Sequence, residues 1–384
     1  MNRCILHVGI PKTGTSSIQE SLFFGLDDPR FEYVTAGHYS SLRLLQLLGS
    51  EAGIPDYVQG AQGRDPAYLA KHRQLTRRQF EHRLAHARRS GRQLILSGES
   101  CWRMSRSELS RLKTILEQGG YSVQVMAYLR PWKDWLESVF AQRCQAECIY
   151  GGQPWRVSFL PSKMVFIDYA ERIATFDGVF GRENVLFRKY DPATFTEGCV
   201  TRDFCELAGV TLAPDQIRRA NPSVRRDGVR FLFAYGRYGN REAPSGRWSR
   251  WQHGSLIQRL LALRGPSLRF HSSVVEPILN PLLPHLAQVE ERIGAPLRED
   301  WRQHDATDCV RTEADLFRFS PESLDWLAEQ TGQGFSAGMT DVALAQEVAD
   351  RIHRLRHQFP GVRHLLQSAQ LAAERHWTAW RKRR

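Results

Sequence analysis

Residues 9–17 read GIPKTGTSS and hold the densest chemistry in the chain. Gly9 and Gly14 have the spacing of a phosphate-cradling loop. The lysine, however, is Lys12, inside the loop, and Thr15 and Ser16 stand where a nucleoside-triphosphatase carries Lys and Ser or Thr. A glycine turn lets the backbone approach an anion closely, and the free N–H groups and positive dipole end of the following helix face it. Lys12 adds a mobile charge, and the hydroxyls of Thr13, Thr15, Ser16 and Ser17 add donors. The same residues also suit a plain strand-to-helix turn capped by Ser and Thr.

A second anion-binding pair stands at 128–140, YLRPWKDWLESVF, where Arg130 closes a strand and Ser138 follows eight residues later on a helix. Arginine grips a phosphate with a planar fork of donors, and serine supplies one more hydrogen bond. An Arg-Pro pair after a strand is, equally, a turn with a surface ion pair. A carboxylate, Glu99, ends the apolar run QLILSGES, and His38 stands in a Gly-His-Tyr turn.

Alternating elements must position these groups. Residues 3–9, 93–97, 122–129 and 184–188 read as buried strands, and 15–24, 105–118, 132–146 and 200–208 as helices. That alternation predicts a P-loop-like or Rossmann-like α/β fold, a central parallel sheet flanked by helices, with 10–17, 97–100 and 130–138 all at the carboxyl ends of strands, where such sheets bind ligands. Residues 40–92 read as a basic helical insertion and 240–315 as a second insertion with a loop over 243–254. Helices are expected at 321–331 and 341–375. The α/β domain thus spans 1–335, and 336–384 form a basic helical extension.

The chain has 384 residues and a formal charge of +12, a balance that suits a polyanionic ligand, a nucleic acid or an acidic membrane surface. Seven scattered cysteines predict reduced thiols and a cytoplasmic compartment. Cys144 and Cys148 share a helix face, but no second Cys/His pair lies near them in sequence, so no metal site is expected. Neither a secretory signal nor a membrane span is expected.

The two loops resemble the cofactor signatures of the sulfotransferase family. PKTGTS at 11–16 resembles that family's loop for the 5′-phosphosulfate, and Arg130, Pro131, Lys133, Asp134 and Ser138 resemble its 3′-phosphate motif. The chain is most similar to bacterial sulfotransferase-like proteins that open with GIPKTGTSSIQ. LILSGES at 94–100, NVLFRKYDPATF at 184–195, DFCELAGV at 203–210 and Asn221-Pro222-Ser223 extend the resemblance, which covers roughly 1–30, 93–225 and 316–332. Trp132 and Trp135 make the second motif more aromatic than the family's.

The resemblance implies a metal-free transfer of sulfonate from 3′-phosphoadenosine 5′-phosphosulfate to an acceptor hydroxyl or amine, leaving 3′,5′-bisphosphoadenosine. Pro11 to Ser17 would then hold the phosphosulfate, Lys12 would stabilise charge on the leaving group, and Arg130 and Ser138 would hold the 3′-phosphate. Glu99 is the first choice for the base that takes the acceptor's proton, because burial at the sheet edge raises a carboxyl pKa, and His38 is its competitor. The basic and Trp-rich segments 71–92 and 247–253 suit a small-molecule, carbohydrate or glycolipid acceptor, the last met by peripheral contact with a membrane surface.

Two other classes compete. A P-loop kinase or ATPase would place lysine where Thr15 stands and use a strand-end acid such as Glu99 for magnesium. A nucleic-acid-binding protein would use the basic run 71–92, but no aromatics alternate with those charges as a stacking platform, so no nucleic-acid partner is expected.

Overall fold

The computed structural model describes residues 2–35, 39–41, 45, 66–99, 101–146, 168–220, 222–239 and 246–358. Five strands, β1 (Asn2–Gly9), β2 (Phe31–Tyr33), β3 (Gln93–Glu99), β4 (Tyr121–Leu129) and β5 (Val185–Lys189), pair in parallel in the order β2-β3-β1-β4-β5. The parallel α/β sheet expected from the sequence is therefore present. β1 lies at its centre. Cys4, Ile5, Leu6 and Val8 have no exposed surface, as in a strand covered on both faces.

Side chains alternate between two cores, as the two-residue period of a strand requires. Ile5 packs on one face with Ile18 and Leu22 of α1 (Thr15–Gly25) and Phe204 of α6 (Val200–Ala208). Cys4, Leu6 and Val8 pack on the other face with α2 (Pro66–Arg89), α3 (Arg106–Gln118) and α5 (Tyr169–Phe180). The chain thus leaves β1 towards one face and leaves its neighbours β3 and β4 towards the other. The carboxyl end of β1 is a topological switch point, where open α/β sheets bind ligands.

The remaining helices extend the second core. α4 (Trp132–Ala146) packs on α7 (Arg226–Tyr238) and α9 (Ser272–Leu279), with α8 (Gly246–Leu260), α10 (Leu283–Ile293), α11 (Pro321–Thr331) and α12 (Asp341–His357) around them. Val348, Ile352 and Leu355 of α12 join the main core beside Phe231 and Phe233 of α7.

The expected loop over 243–254 is replaced, within the described residues, by helix α8. Its inner face is Gln252, His253, Ser255, Leu256 and Leu260, a helical period that mostly polar residues hide from a hydrophobicity reading. The weakly patterned stretch 225–300 likewise holds α7, α9 and α10. The expected helix 341–375 is described as far as His357, and the helical reading of 40–92 rests on α2 alone, because 42–44 and 46–65 lie outside the described residues.

Candidate active site at the carboxyl edge of the sheet

The last residue of β1 is a glycine for a steric reason. A Cβ on Gly9 would stand 2.4 Å from the Thr15 methyl and 3.1 Å from the Cα of Glu99, its register partner on β3. Gly14 has φ of 75°, and its Cβ would meet Val200 at 2.5 Å. These two glycines let the loop fold tightly between β1, β3 and α6.

Within the loop, the amides of Ser17 and Ile18 turn back to the carbonyl of Gly14. The amides of Lys12, Thr13, Gly14, Thr15 and Ser16 donate to no acceptor among the described residues. Together with the start of α1 they form a set of free donors of the kind that holds a phosphate or sulfate. The hydroxyls behave differently from the sequence expectation. Thr13 and Thr15 are buried and donate to the carbonyl of Ile10 at 2.7 and 3.4 Å, and the Ser17 hydroxyl accepts from the Ala220 amide at 3.0 Å. These three side chains build the loop rather than face a ligand. Only the Ser16 hydroxyl, of the four, has no partner among the described residues. Pro11 is half-buried and has no N–H to give.

Lys12 sits in the left-handed region with φ of 69°, a conformation that costs a non-glycine residue on the order of 1 kcal/mol. Its ammonium forms neither a hydrogen bond nor an ion pair among the described residues. Burial, reinforced by Arg130, lowers its pKa, while Glu99 opposes the shift.

Arg130 follows β4. It donates from Nη1 to the Lys12 carbonyl at 2.5 Å and from Nε to Asp134 at 2.7 Å, and lies over the ring of Tyr190 with 5.3 Å to the centroid. Tyr169 in turn donates to the Arg130 carbonyl at 2.8 Å. Burial works against the Asp134 carboxylate, yet Arg130 and Arg269 together hold its pKa below the ordinary value. Ser138, half-buried two turns further along α4, has a hydroxyl without a partner among the described residues.

Glu99 ends β3 directly beside Gly9. Burial raises its pKa, and Lys12 and Arg103 pull against that rise. Its carboxylate makes no ion pair or hydrogen bond among the described residues. The structure therefore brings Lys12, Glu99 and Arg130 to one edge. His38, the alternative base, lies outside the described residues.

Three residues of the site were not anticipated as site residues. Tyr190 covers Arg130, Arg103 adds a charge beside Glu99, and Glu299 accepts from the Lys133 and Asp134 amides at 2.8 and 3.3 Å at the start of α4, while Asp134, already part of the second motif, anchors Arg130. Burial, with Asp134 and Glu137 adding to it, pushes Glu299 up to about 7. Glu299 reaches α4 from more than 150 residues away in sequence, a distance no local motif spans.

No family model, no curated protein and no solved structure matches this chain. Among the described residues no helix is long and apolar enough to cross a membrane. Nor does any group of three His, Cys, Asp or Glu side chains among them form a metal-binding set.

Proposed function

We propose that the protein transfers a sulfonate group from 3′-phosphoadenosine 5′-phosphosulfate to an acceptor hydroxyl or amine. The observation that carries this reading is Lys12: an unpartnered ammonium beside five free amides, flanked by Glu99 and Arg130. That arrangement suits a doubly anionic group whose bridging oxygen gains charge as its bond to sulfur breaks.

In this reading the amides of Lys12 to Ser16 hold the phosphosulfate. Lys12 donates towards the bridging oxygen. Glu99, with its raised pKa, takes the proton that the acceptor loses as its oxygen bonds to sulfur. The unpaired donors of Arg130, with the Ser138 hydroxyl, face the 3′-phosphate. Asp134 already holds one edge of that guanidinium, so the phosphate shares Arg130 with a carboxylate. The acceptor belongs to the carbohydrate or glycolipid class, in keeping with the strongly basic chain. The six described cysteines are free thiols, in keeping with a reducing, cytoplasm-like compartment.

One observation favours a second reading. Glu99, paired in register with Gly9, stands where a phosphoryl-transfer enzyme keeps a magnesium-holding acid. Calorimetric titration separates the two. Micromolar binding of 3′,5′-bisphosphoadenosine without metal, and little binding of ATP with magnesium, supports sulfonate transfer. The reverse result makes this a nucleoside-triphosphate enzyme.

A further inference from the structure

At the opposite edge of the sheet, α2 and α3 enclose a cleft of about 480 Å³. Its lining joins Arg77, Arg88 and Arg89 to the aliphatic Leu84, Ala85 and Ile115, with Glu81 and Gln118 as the further polar side chains. α2 ends just before β3 begins, and α3 ends just before β4 begins. At ~3.3 Å per residue, the length of β3 puts roughly 20 Å between this cleft and Glu99. The cleft shares no residue with the site around Lys12.

The cations here are set, not merely numerous. Arg88 passes close against Gly120: a Cβ there would stand 3.0 Å from its Cδ and 3.3 Å from its Nε. Gly120, with φ of 90°, thus makes the wall against which that guanidinium rests. The guanidinium groups of Arg88 and Arg89 form no ion pair or hydrogen bond among the described residues. Arg77 is bound at its Nε by Glu81 at 2.9 Å.

The arrangement has a length. Arg77 and Arg88 are about 16 Å apart along α2, at 1.5 Å rise per residue. A ligand engaging both ends must therefore be elongated and acidic at each end, sharing Arg77 with Glu81 at one end and laying an apolar residue over Leu84 and Ile115 between. An extended peptide meets that requirement. Residues i, i+2 and i+4 face one side of a strand, and i to i+4 spans about 13 Å, within reach of two arginine side chains. Among the described residues no aromatic ring lines the cleft, which argues against a stacked nucleobase.

We propose that the α2–α3 cleft binds an extended acidic peptide segment of a partner protein, with acidic residues at i and i+4 and an aliphatic residue at i+2.

The test is fluorescence anisotropy of the full-length chain with a labelled nonapeptide carrying Glu-Ser-Leu-Ser-Glu between glycines. Binding on the order of 100 µM or tighter is expected. Arg89→Glu should weaken it at least tenfold, and Arg88→Ala should do so as a second lining variant. Arg78→Glu makes the same charge change as Arg89→Glu on the exposed face of α2, outside the cleft, and should alter binding less than threefold. A peptide of the same composition with adjacent glutamates should bind at least fivefold more weakly. Absence of binding, equal binding of the permuted peptide, or equal losses at Arg78 and Arg89 would each overturn the proposal. So would tighter binding of a single-stranded oligonucleotide, which would assign the cleft to nucleic acid instead. Saturating 3′,5′-bisphosphoadenosine should leave the peptide affinity unchanged, and competition would move the peptide to the Lys12 edge and overturn the assignment.

Discussion

Arg130 donates from its Nη1 to the backbone carbonyl of Lys12 at 2.5 Å, tying the turn after β4 to the turn after β1. The bond fixes the one loop residue that combines a left-handed backbone with an unpartnered charge. Arg130 therefore has a building duty as well as the binding duty the sequence proposes. Replacing it should disturb Lys12 as well as the proposed phosphate contact.

Arg130→Lys keeps the charge but loses the planar fork, so one side chain can no longer hold both the Lys12 carbonyl and Asp134. Calorimetry should show 3′,5′-bisphosphoadenosine binding at least tenfold more weakly. Thermal unfolding should show stability reduced by about 1–3 kcal/mol. Unchanged affinity would remove Arg130 from the nucleotide site.

Lys12→Gly separates chemistry from folding. Glycine accepts a φ of 69° without strain, so stability should be unchanged or raised, by up to about 1 kcal/mol. Turnover should fall by about two orders of magnitude or more, the usual effect of removing a donor to developing charge. A variant that keeps full turnover in a sulfonate-transfer assay would dismiss the lysine's role.

The pH profile of kcat/KM should be bell-shaped. Its acid limb should follow Glu99, which burial raises above the ordinary carboxyl value, so activity appears at a higher pH than a free glutamate would give. Its alkaline limb should follow Lys12, which burial and Arg130 lower below the ordinary lysine value. Glu99→Gln should abolish turnover and leave nucleotide affinity intact. Retained turnover would shift the base assignment to His38.

Glu299 ties stability to pH. Its folded-state pKa of about 7 lies above its ordinary 4.5, so the folded protein holds this proton more tightly than the unfolded chain. The contribution is full below about pH 4.5 and is lost as pH rises through 7, a difference on the order of 3 kcal/mol. Glu299→Gln should flatten that part of the melting temperature's fall between pH 5 and pH 8. An unaltered slope would show that other groups set it.

How much of this was legible depends on where each signal lives. β1, β3 and β4 each hold a short apolar run, and a glycine, a glutamate and an arginine stand at or just after their ends, so the sheet and the three residues at its edge could be read locally. β2 is three residues long and exists by pairing with β3, which no local pattern announces. The direction of the loop hydroxyls was hidden because Thr13 and Thr15 turn back to the Ile10 carbonyl, a choice that residue type alone does not announce. Arg269, whose guanidinium reaches Asp134 and Glu137 at 3.1 and 2.6 Å, comes from more than 130 residues away, and ion pairs at such separation leave no trace in spacing.

The position of α12 limits where this chain can be cut. Val348, Ile352 and Leu355 sit in the same apolar interior as Phe231 and Phe233, and Arg356 donates to the Tyr235 hydroxyl at 3.0 Å. A protein shortened before Asp341 would leave one side of α7 open to water and, through α4 packed on α7, would loosen the floor beneath Arg130. Trimming the basic carboxyl end without harm to the Lys12 edge therefore requires a cut beyond His357.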